Sequence, residues 1–213
     1  MDVMPLFRIE RRSGFRVLRL QSADLTNRLT RACVVTLTKA MRELAQFAEP
    51  VIITGNHKFF SAGADLSEIA GLSGPAAFAF SQMGQELMES VESFPAPVLA
   101  AINGYCMGGG LDLALACHRR IVAPHAVLGH RGAALGLITG WGGTQRLPRL
   151  IGKDKAMKMF LTAEKVRAAE ALRIGLVDLV AADPVEEAAQ QLVKISGRAD
   201  FLLQTESGDA VVG

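Results

Sequence analysis

The chain has 213 residues, of which 50% are hydrophobic and 21% are charged, and its formal net charge is +2. This apolar content suffices for one sizeable core and the composition marks no second domain, so we expect one core domain over residues 1–197 and a short polar, disordered tail over residues 198–213. The near-neutral charge argues against a nucleic-acid partner, because such proteins present a strongly basic surface.

The cysteine pattern bears on the compartment. Cys33, Cys106 and Cys117 are odd in number, and two of them lie inside apolar segments, so we expect buried free thiols in a reducing, cytoplasmic environment. No histidine stands at a metal-ligand spacing from Cys117, so no metal site is expected. No apolar stretch approaches the roughly 20 residues that a membrane helix needs, so we expect no membrane partner.

The predicted elements begin with a hairpin. Residues 6–12 and 15–20 partly alternate between apolar and polar side chains around a Ser-Gly turn, which favours two paired strands. Apolar residues then recur at helical spacing over residues 29–47, after Asn27 and before Pro50. We therefore predict an amphipathic helix that faces the core.

The middle of the chain alternates strands and helices. Residues 51–54 are consecutively apolar and β-branched, as in a strand covered on both faces. A helix over 74–94 and strands over 98–102 and 121–123 follow, and helices are then predicted over 153–161, 166–172 and 184–195. From the residues alone this order indicates an α/β fold.

Three consecutive glycines at positions 108–110 follow the strand 98–102 and lead directly into an apolar helical segment, 111–117. The amides of a first helical turn have no intrahelical partner, the helix dipole favours negative charge there, and glycine lets a ligand approach the backbone. The pattern fits an oxyanion-binding turn. Taken alone, the triplet also fits a tight turn between a strand and a packed helix.

A second glycine turn, F-S-A-G-A-D-L over residues 60–66, also follows an apolar strand and leads into a helix start. Two such turns can supply two converging backbone amides. The segment 102–143 holds 10 of the 21 glycines, and its apolar surroundings indicate close approach to a ligand rather than a linker. We expect Trp141, the sole tryptophan, to lie in the core.

Three motifs, F-S-A-G-A-D-L, N-G-Y-x-x-G-G-G and G-W-G-G-T-Q-R-L-P-R-L, occur in this order and resemble those of the crotonase (enoyl-CoA hydratase/isomerase) superfamily. The resemblance covers residues 7–191. It implies a crotonase-like spiral of repeated ββα units, here with a shortened C-terminal helical part because the chain ends soon after Gly197. It also implies a homotrimer or a dimer of trimers.

The resemblance further implies an acyl-CoA thioester substrate, with coenzyme A as part of the substrate and no separate cofactor. In the family, the backbone amides at the positions of Ala64 and Gly109 form an oxyanion hole for the thioester. Further positions match those near the nucleotide and pantetheine of coenzyme A. They are Lys58, Ala62, Asp65 and Leu66. A solvated charge at Lys58 and a turn-stabilising side chain at Asp65 remain alternatives.

Hydration in the family uses two glutamates that hold one water. Asp112 stands at the first position and Gly132 at the second, and no Asp or Glu lies between Asp112 and Lys153. Asp112 is therefore the expected general acid/base, with a purely helix-stabilising role as the alternative. We expect hydratase activity to be weak, and to rise with Gly132→Glu, alone or with Asp112→Glu.

His130 is the nearest titratable side chain to the missing carboxylate. If the chain is extended there, residues 130 and 132 share a face, and an imidazole in this place can act as a base. A histidine of the surface or the core is the alternative interpretation. The sequence does not decide between the two.

The function predicted from the resemblance is that of an enzyme, a lyase or isomerase acting on an acyl-CoA thioester through a stabilised enolate. Two alternatives remain. One is a double-bond isomerase or decarboxylase, which needs one carboxylate or none. The other is a non-catalytic acyl-CoA-binding protein, which would keep Ala64 and Gly109 and tolerate the loss at Gly132.

Overall fold

The computed structural model describes residues 5–194. The strands are β1 (Phe7–Arg12), β2 (Phe15–Leu20), β3 (Arg28–Leu29), β4 (Val51–Thr54), β5 (Phe59–Ser61), β6 (Gly63–Ala64), β7 (Val98–Ile102), β8 (Tyr105–Met107), β9 (Arg119–Val122), β10 (Val127–Gly129), β11 (Val166–Arg167) and β12 (Leu179–Val180). The helices are α1 (Arg31–Ala45), α2 (Leu66–Ile69), α3 (Gly74–Glu92), α4 (Gly109–Ala116), α5 (Gly143–Ile151), α6 (Lys153–Thr162), α7 (Ala168–Arg173) and α8 (184–194). A 3-10 helix spans Gly132–Leu135.

From β4 to β10, the strands that the chain adds to a larger sheet alternate with strands that it adds to a smaller sheet, apart from β6. The larger sheet has the order β1-β2-β4-β7-β9-β12, antiparallel at β1-β2 and parallel at every later pair. The smaller sheet has the order β11-β10-β8-β5, and its last three strands are parallel. Because β4, β7 and β9 are each followed by one strand of the smaller sheet, the chain repeats a ββ unit. A helix follows the first two of these pairs, which confirms the predicted α/β fold and its repeated ββα order.

The central strands β4 and β7 of the larger sheet are buried on both faces. Val17, Ile52 and Leu99 are neighbours in the register and lie in an apolar cluster with residues of α8. Leu18 and Ile53 point to the opposite face and into the main core. This double burial explains why β4 is apolar at consecutive positions, as the sequence predicted.

Helix α1 shows why the predicted amphipathic segment starts where it does. Thr30 caps it by accepting a hydrogen bond from the Cys33 amide at 3.2 Å, so the helix begins at Arg31. Asn27 instead has a left-handed φ of 52°, and its amide donates to the carbonyls of Phe59 and Phe60. Asn27 therefore ties β5, at the start of the glycine turn over residues 60–66, to the segment that leads into β3.

Several boundaries differ from the predictions. Residues 166–167 form β11 and not the start of a helix, because they pair with β10, and α7 begins at Ala168. The expected tail over residues 198–213 and the shortened C-terminal part lie outside the described residues. The three cysteines are free and buried, as predicted. Within residues 5–194, no helix is both long and apolar enough to span a membrane.

Candidate active site

A cavity of about 470 Å³ lies where the two glycine turns meet. Its walls come from four parts of the chain: residues 62–72, the first half of α3, residues 107–112 at the start of α4, and residues 130–141. Asp112 lines the cavity together with four of the six other residues predicted for the site. They are Ala62, Ala64, Leu66 and Gly109. The fold therefore brings together residues that lie up to 50 positions apart in sequence.

The backbones of the two turns are in direct contact. A Cβ built on Gly63 would lie 2.6 Å from the Met107 oxygen and 3.0 Å from the Gly109 nitrogen. A Cβ built on Gly109 would lie 3.3 Å from the Ala64 nitrogen. Because side chains at either glycine would separate the turns, the glycines are what allows the two amides to lie at one end of the cavity.

Gly109 is the first residue of α4, and Gly108 precedes it with a φ of 50°. The amide at this place has no intrahelical acceptor, and the positive end of the helix dipole adds to its attraction for a negative oxygen. From Gly110 to Ala116 every residue of α4 is buried, so packing fixes the direction in which the helix starts. The predicted oxyanion-binding turn thus has a rigid support.

Trp141 fills the space beside this turn. Its ring lies where a Cβ on Gly109 or on Gly84 would stand, at 2.5 and 2.1 Å, and its indole N–H donates to the Phe80 carbonyl at 3.2 Å. The side chain is buried in the main core, as predicted, and it also lines the cavity. Trp141 therefore holds the segment 130–141 against α4.

Asp112 lies one turn into α4 and is 1% exposed. The Thr139 hydroxyl donates to its Oδ2, whereas within residues 5–194 its Oδ1 has no hydrogen-bond partner. Burial raises the pKa of Asp112 to about 7, although the Thr139 hydrogen bond, the charge of Arg146 and the Gly143 amide each lower it. At neutral pH this carboxyl group is poised between its acid and its carboxylate.

His130 faces the same carboxyl group. Its Nε2 lies 3.5 Å from Asp112 Oδ1, and in the described part of the chain this nitrogen also has no hydrogen-bond partner. The ring is 3% exposed and lies against Phe160, with ring centroids 5.2 Å apart. Burial lowers the pKa of His130 to about 4, so the imidazole is neutral at neutral pH.

Gly132, at the position of the missing glutamate, lines the same cavity. The chain is not extended there, because Gly132 begins the 3-10 helix. A Cβ built on Gly132 would lie 2.5 Å from the Leu137 carbonyl oxygen. Since that obstacle is backbone, the expectation that Gly132→Glu restores a working carboxylate does not fit the structure.

Lys58 and Asp65 do not line the cavity. Lys58 is exposed, with its Nζ 6.0 Å from the centre of the Phe59 ring. Asp65 caps α2 by accepting hydrogen bonds from the Ser67 amide at 2.9 Å and the Ser67 hydroxyl at 2.6 Å, and these bonds lower its pKa. This is the turn-stabilising role that the sequence left open. Contact of either residue with coenzyme A stays a prediction.

A second cavity of about 620 Å³ adjoins the first, between the 3-10 helix, α5 and α6. His130, Gly132, Leu137, Ile138 and Thr139 line both cavities. The sequence did not point to this second space or to Thr139. No residue pattern signals them, because they arise where the segment 130–141 folds back on α4.

Within residues 5–194, no group of three or more His, Cys, Asp or Glu side chains is placed to hold a metal ion. His118 illustrates the other use of a histidine, since its Nδ1 accepts a hydrogen bond from the Val98 amide at 3.0 Å. The charged or titratable side chains that line the cavity include Asp112, His130 and Arg131.

Comparison with known proteins gives one consistent result. The family model for enoyl-CoA hydratase/isomerase matches residues 10–199. A Bacillus subtilis protein described as a "Probable enoyl-CoA hydratase" is 48% identical over 137 residues, which cover 64% of this chain and 53% of the relative. The chain thus spans about half the length of that curated relative.

Solved structures resemble the whole described fold. Pseudomonas aeruginosa DspI superposes with a TM-score of 0.86 at 34% identity, covering 92% of this chain and 76% of that one. An enoyl-CoA hydratase from Bacillus anthracis superposes with a TM-score of 0.85 at 37% identity, covering 90% of this chain and 77% of that one.

Proposed function

Because this chain belongs to the enoyl-CoA hydratase/isomerase family, we propose that it is an enzyme that transfers a proton at the carbon next to the carbonyl of an acyl-CoA thioester. This step is common to hydration and to double-bond isomerisation. The substrate's coenzyme A is the only cofactor that the proposal includes. The proposal rests on the arrangement of Ala64, Gly109 and Asp112 around one cavity.

The two glycine turns provide the electrostatic part of the mechanism. When a proton leaves the α-carbon, its electron pair moves toward the thioester carbonyl, and negative charge collects on the oxygen. The amides of Ala64 and Gly109 lie side by side at one end of the cavity and need no reorganisation to receive that oxygen. Removal of one such donor typically costs about 10² to 10³ in rate.

Asp112 provides the proton-transfer part of the mechanism. The position of its carboxyl group on the same cavity as Ala64 and Gly109 is the single observation that carries the proposal. The carboxyl group lines the cavity three residues after Gly109 on the same rigid helix. Its free Oδ1 accepts the α-proton as a carboxylate and returns a proton as an acid. A pKa of about 7 suits both directions at neutral pH, because neither form of the group is scarce.

The choice between hydration and isomerisation turns on the second proton-transfer group. A single carboxyl group is enough to move a proton between the α- and γ-carbons of an enoyl thioester. Water addition in the family uses two glutamates, and Gly132 carries no side chain at the second position. Isomerisation is therefore the second candidate function, and hydration is expected to be slower than in a two-glutamate enzyme.

Proton transfer is testable without either full reaction. Butyryl-CoA has α-protons but no double bond to hydrate, and its deuterium uptake in D₂O is followed by mass spectrometry. We expect the native protein to catalyse exchange and Asp112→Asn to reduce it by roughly 10² to 10⁴-fold. Asp154→Asn, an exposed carboxyl group on α6, is the matched control and should exchange at the native rate. Equal rates in all three proteins would overturn the role of Asp112.

Binding is a separate measurement. Calorimetry with acetoacetyl-CoA should give a dissociation constant for the native protein and for Asp112→Asn alike, since the two turns do not depend on the carboxyl group. If millimolar acetoacetyl-CoA produces neither heat nor a thermal shift, the protein does not recognise acyl-CoA thioesters.

For the assembly we propose a homotrimer or a dimer of trimers. In the family, the helices of this part of the chain contribute to the threefold contact. Exposed apolar side chains on α5 and α6 support the proposal, among them Leu150, Met157 and Leu161. Light scattering that reports a 22.7 kDa monomer over a wide concentration range would contradict it. The three free cysteines support a cytoplasmic location.

A further inference from the structure

We propose that His130 is the second proton-transfer group of this site, and that together with Asp112 it activates the water that adds to a 2-enoyl thioester. The inference deepens the proposed function and rests on it. It assigns to an imidazole the place that a glutamate would take if position 132 carried one.

The geometry of two unpaired atoms carries the inference. Asp112 Oδ1 and His130 Nε2 are buried polar atoms that have no hydrogen-bond partner among residues 5–194. Leaving such an atom unpaired costs about 1 to 3 kcal/mol, so native structures rarely keep one without a reason. Here the two atoms lie 3.5 Å apart and both residues line the cavity. A small polar molecule in that cavity would satisfy both at once.

Glycines make room for this pair. A Cβ built on Gly143 would lie 2.2 Å from Asp112 Oδ1 and 3.0 Å from the Cε1 atom of His130. Gly132 places no side chain between the imidazole and the cavity. On its other side the ring is held by Phe160. The imidazole is thus held between Phe160 and Asp112, and His130 lines the cavity in which the proposed substrate binds.

The step balances with the groups present. The water oxygen forms a bond to C3 of the enoyl thioester, and one water proton passes to Nε2 of His130 in its Nδ1–H tautomer. The C2 carbon of the resulting enolate takes the proton held on Asp112. The imidazolium then returns its proton to the Asp112 carboxylate across the gap of 3.5 Å. One water is consumed, the product is a 3-hydroxyacyl thioester, and both side chains regain their starting forms.

The difference between the pKa values of Asp112 and His130 favours this direction. Asp112, with a pKa of about 7, holds a proton more tightly than His130, with a pKa of about 4, so the final return of the proton is downhill. The neighbouring charged and titratable groups are Arg131, which follows His130 and lines the same cavity, Arg146 and Cys106 near Asp112, and Arg149 and Lys153 on the second cavity that His130 also lines. A weakly basic imidazole also explains why hydration should be slow.

The test compares two reactions in one sample. Crotonyl-CoA hydration is followed by loss of the conjugated enoyl absorbance, and butyryl-CoA deuterium exchange by mass spectrometry. Exchange needs Asp112 alone, whereas hydration needs both groups. In His130→Gln we expect the ratio of the hydration rate to the exchange rate to fall by roughly 10² to 10⁴-fold. His130→Asn serves as a second variant, and the exposed His125→Gln as the control with native values for both reactions.

The ratio of hydration to exchange does not depend on the folded fraction, so a partly unfolded variant still reports on the role of His130. Two results overturn the assignment: an unchanged ratio in His130→Gln and His130→Asn, whether or not both rates fall, or a native protein that exchanges but does not hydrate. A native protein that neither binds nor exchanges acyl-CoA refutes the proposed function itself, and is distinguishable from these.

Discussion

Two walls of the active-site cavity differ in how they meet solvent. The buried wall is α4, in which every residue from Gly110 to Ala116 is shielded. The exposed wall is the segment 132–139, in which Leu135, Leu137 and Ile138 are large apolar side chains open to solvent. The Gly109 amide, which we propose as an oxyanion donor, and the carboxyl group of Asp112 belong to the buried wall.

The buried wall therefore holds the groups proposed for the chemical step, whereas the exposed wall shapes the space for the substrate. A residue of the buried wall is fixed by many contacts, so substitutions there should change stability and turnover together. An exposed side chain of the second wall, such as that of Ile138, has few contacts of its own, so substituting it should change ligand binding alone. Four predictions test this division, and they run from the largest expected effect to the smallest.

The largest effect concerns Asp112 and the pH dependence of stability. Its pKa is raised from 3.8 to about 7 in the folded protein, so the stability that this group contributes is fully present below pH 3.8 and is lost as pH rises through 7. From pH 4 to pH 9 the native protein should lose on the order of 4 kcal/mol relative to Asp112→Asn. Urea unfolding of both proteins at each pH measures the difference.

The native protein has to be compared with Asp112→Asn because His130 changes stability with pH in the opposite direction. Its pKa is lowered to about 4, so its contribution is present above pH 6.5 and is lost as pH falls through 4. This contribution is common to both proteins and cancels. Asp154→Asn should track the native protein at every pH. A difference between native and Asp112→Asn that does not vary with pH would show that the carboxyl group is not buried as described.

The next effect concerns the backbone of the buried wall. In Gly109→Ala the new Cβ would lie 2.5 Å from the Trp141 ring, so either the ring or the helix start must move. We expect exchange of butyryl-CoA to fall by roughly 10² to 10³-fold, as when an oxyanion donor is lost, and the melting temperature to drop. Gly71→Ala, which meets no atom within 4 Å, is the control. Native exchange in Gly109→Ala would mean that this amide is not a donor.

A smaller effect is expected where the exposed wall begins. Gly132→Glu and Gly132→Ala share a Cβ that would lie 2.5 Å from the Leu137 carbonyl oxygen. Both should lower the free energy of unfolding by roughly 1 to 3 kcal/mol, the usual cost of overpacking, and neither should raise hydration. Chemical denaturation and the crotonyl-CoA assay measure the two outcomes. Faster hydration in Gly132→Glu than in Gly132→Ala would restore the expectation drawn from the sequence.

The smallest effect concerns the exposed wall itself. Ile138 is 72% exposed and lines both cavities, so Ile138→Ser should weaken binding of a long-chain acyl-CoA by about three- to tenfold, corresponding to the loss of part of one apolar contact. The melting temperature should stay at the native value. Val35→Ser, 55% exposed and away from the cavity, is the matched control. A clear drop in melting temperature for Ile138→Ser would contradict the division between the walls.

The periodicity of apolar residues in the sequence was enough to predict the longer helices and strands. The helices α1 and α3 and the strands β4 and β7 were predicted within a few residues, because each has enough positions to show a helical or strand-like pattern of burial. The strands β5, β8 and β10 were not predicted. Each has only three residues, too few for a pattern, and each is defined by its partners in the smaller sheet.

The sequence also determined the two glycine turns and the candidate residues on them. Glycine at positions 63 and 109 reports a backbone requirement directly, because no other residue lets the turns touch. The motif order then pointed to Ala64, Gly109 and Asp112, and the fold brings all three to one cavity.

Only the tertiary structure decided the pKa values, and so the protonation states, of Asp112 and His130. Thr139 and His130 meet Asp112 because the segment 130–141 folds back on α4, at separations of 27 and 18 residues that no local pattern encodes. The pKa shifts of Asp112 and His130 come from burial. Loss of water around a group depends on everything that surrounds it, so it is a property of the packed molecule and not of the residue types.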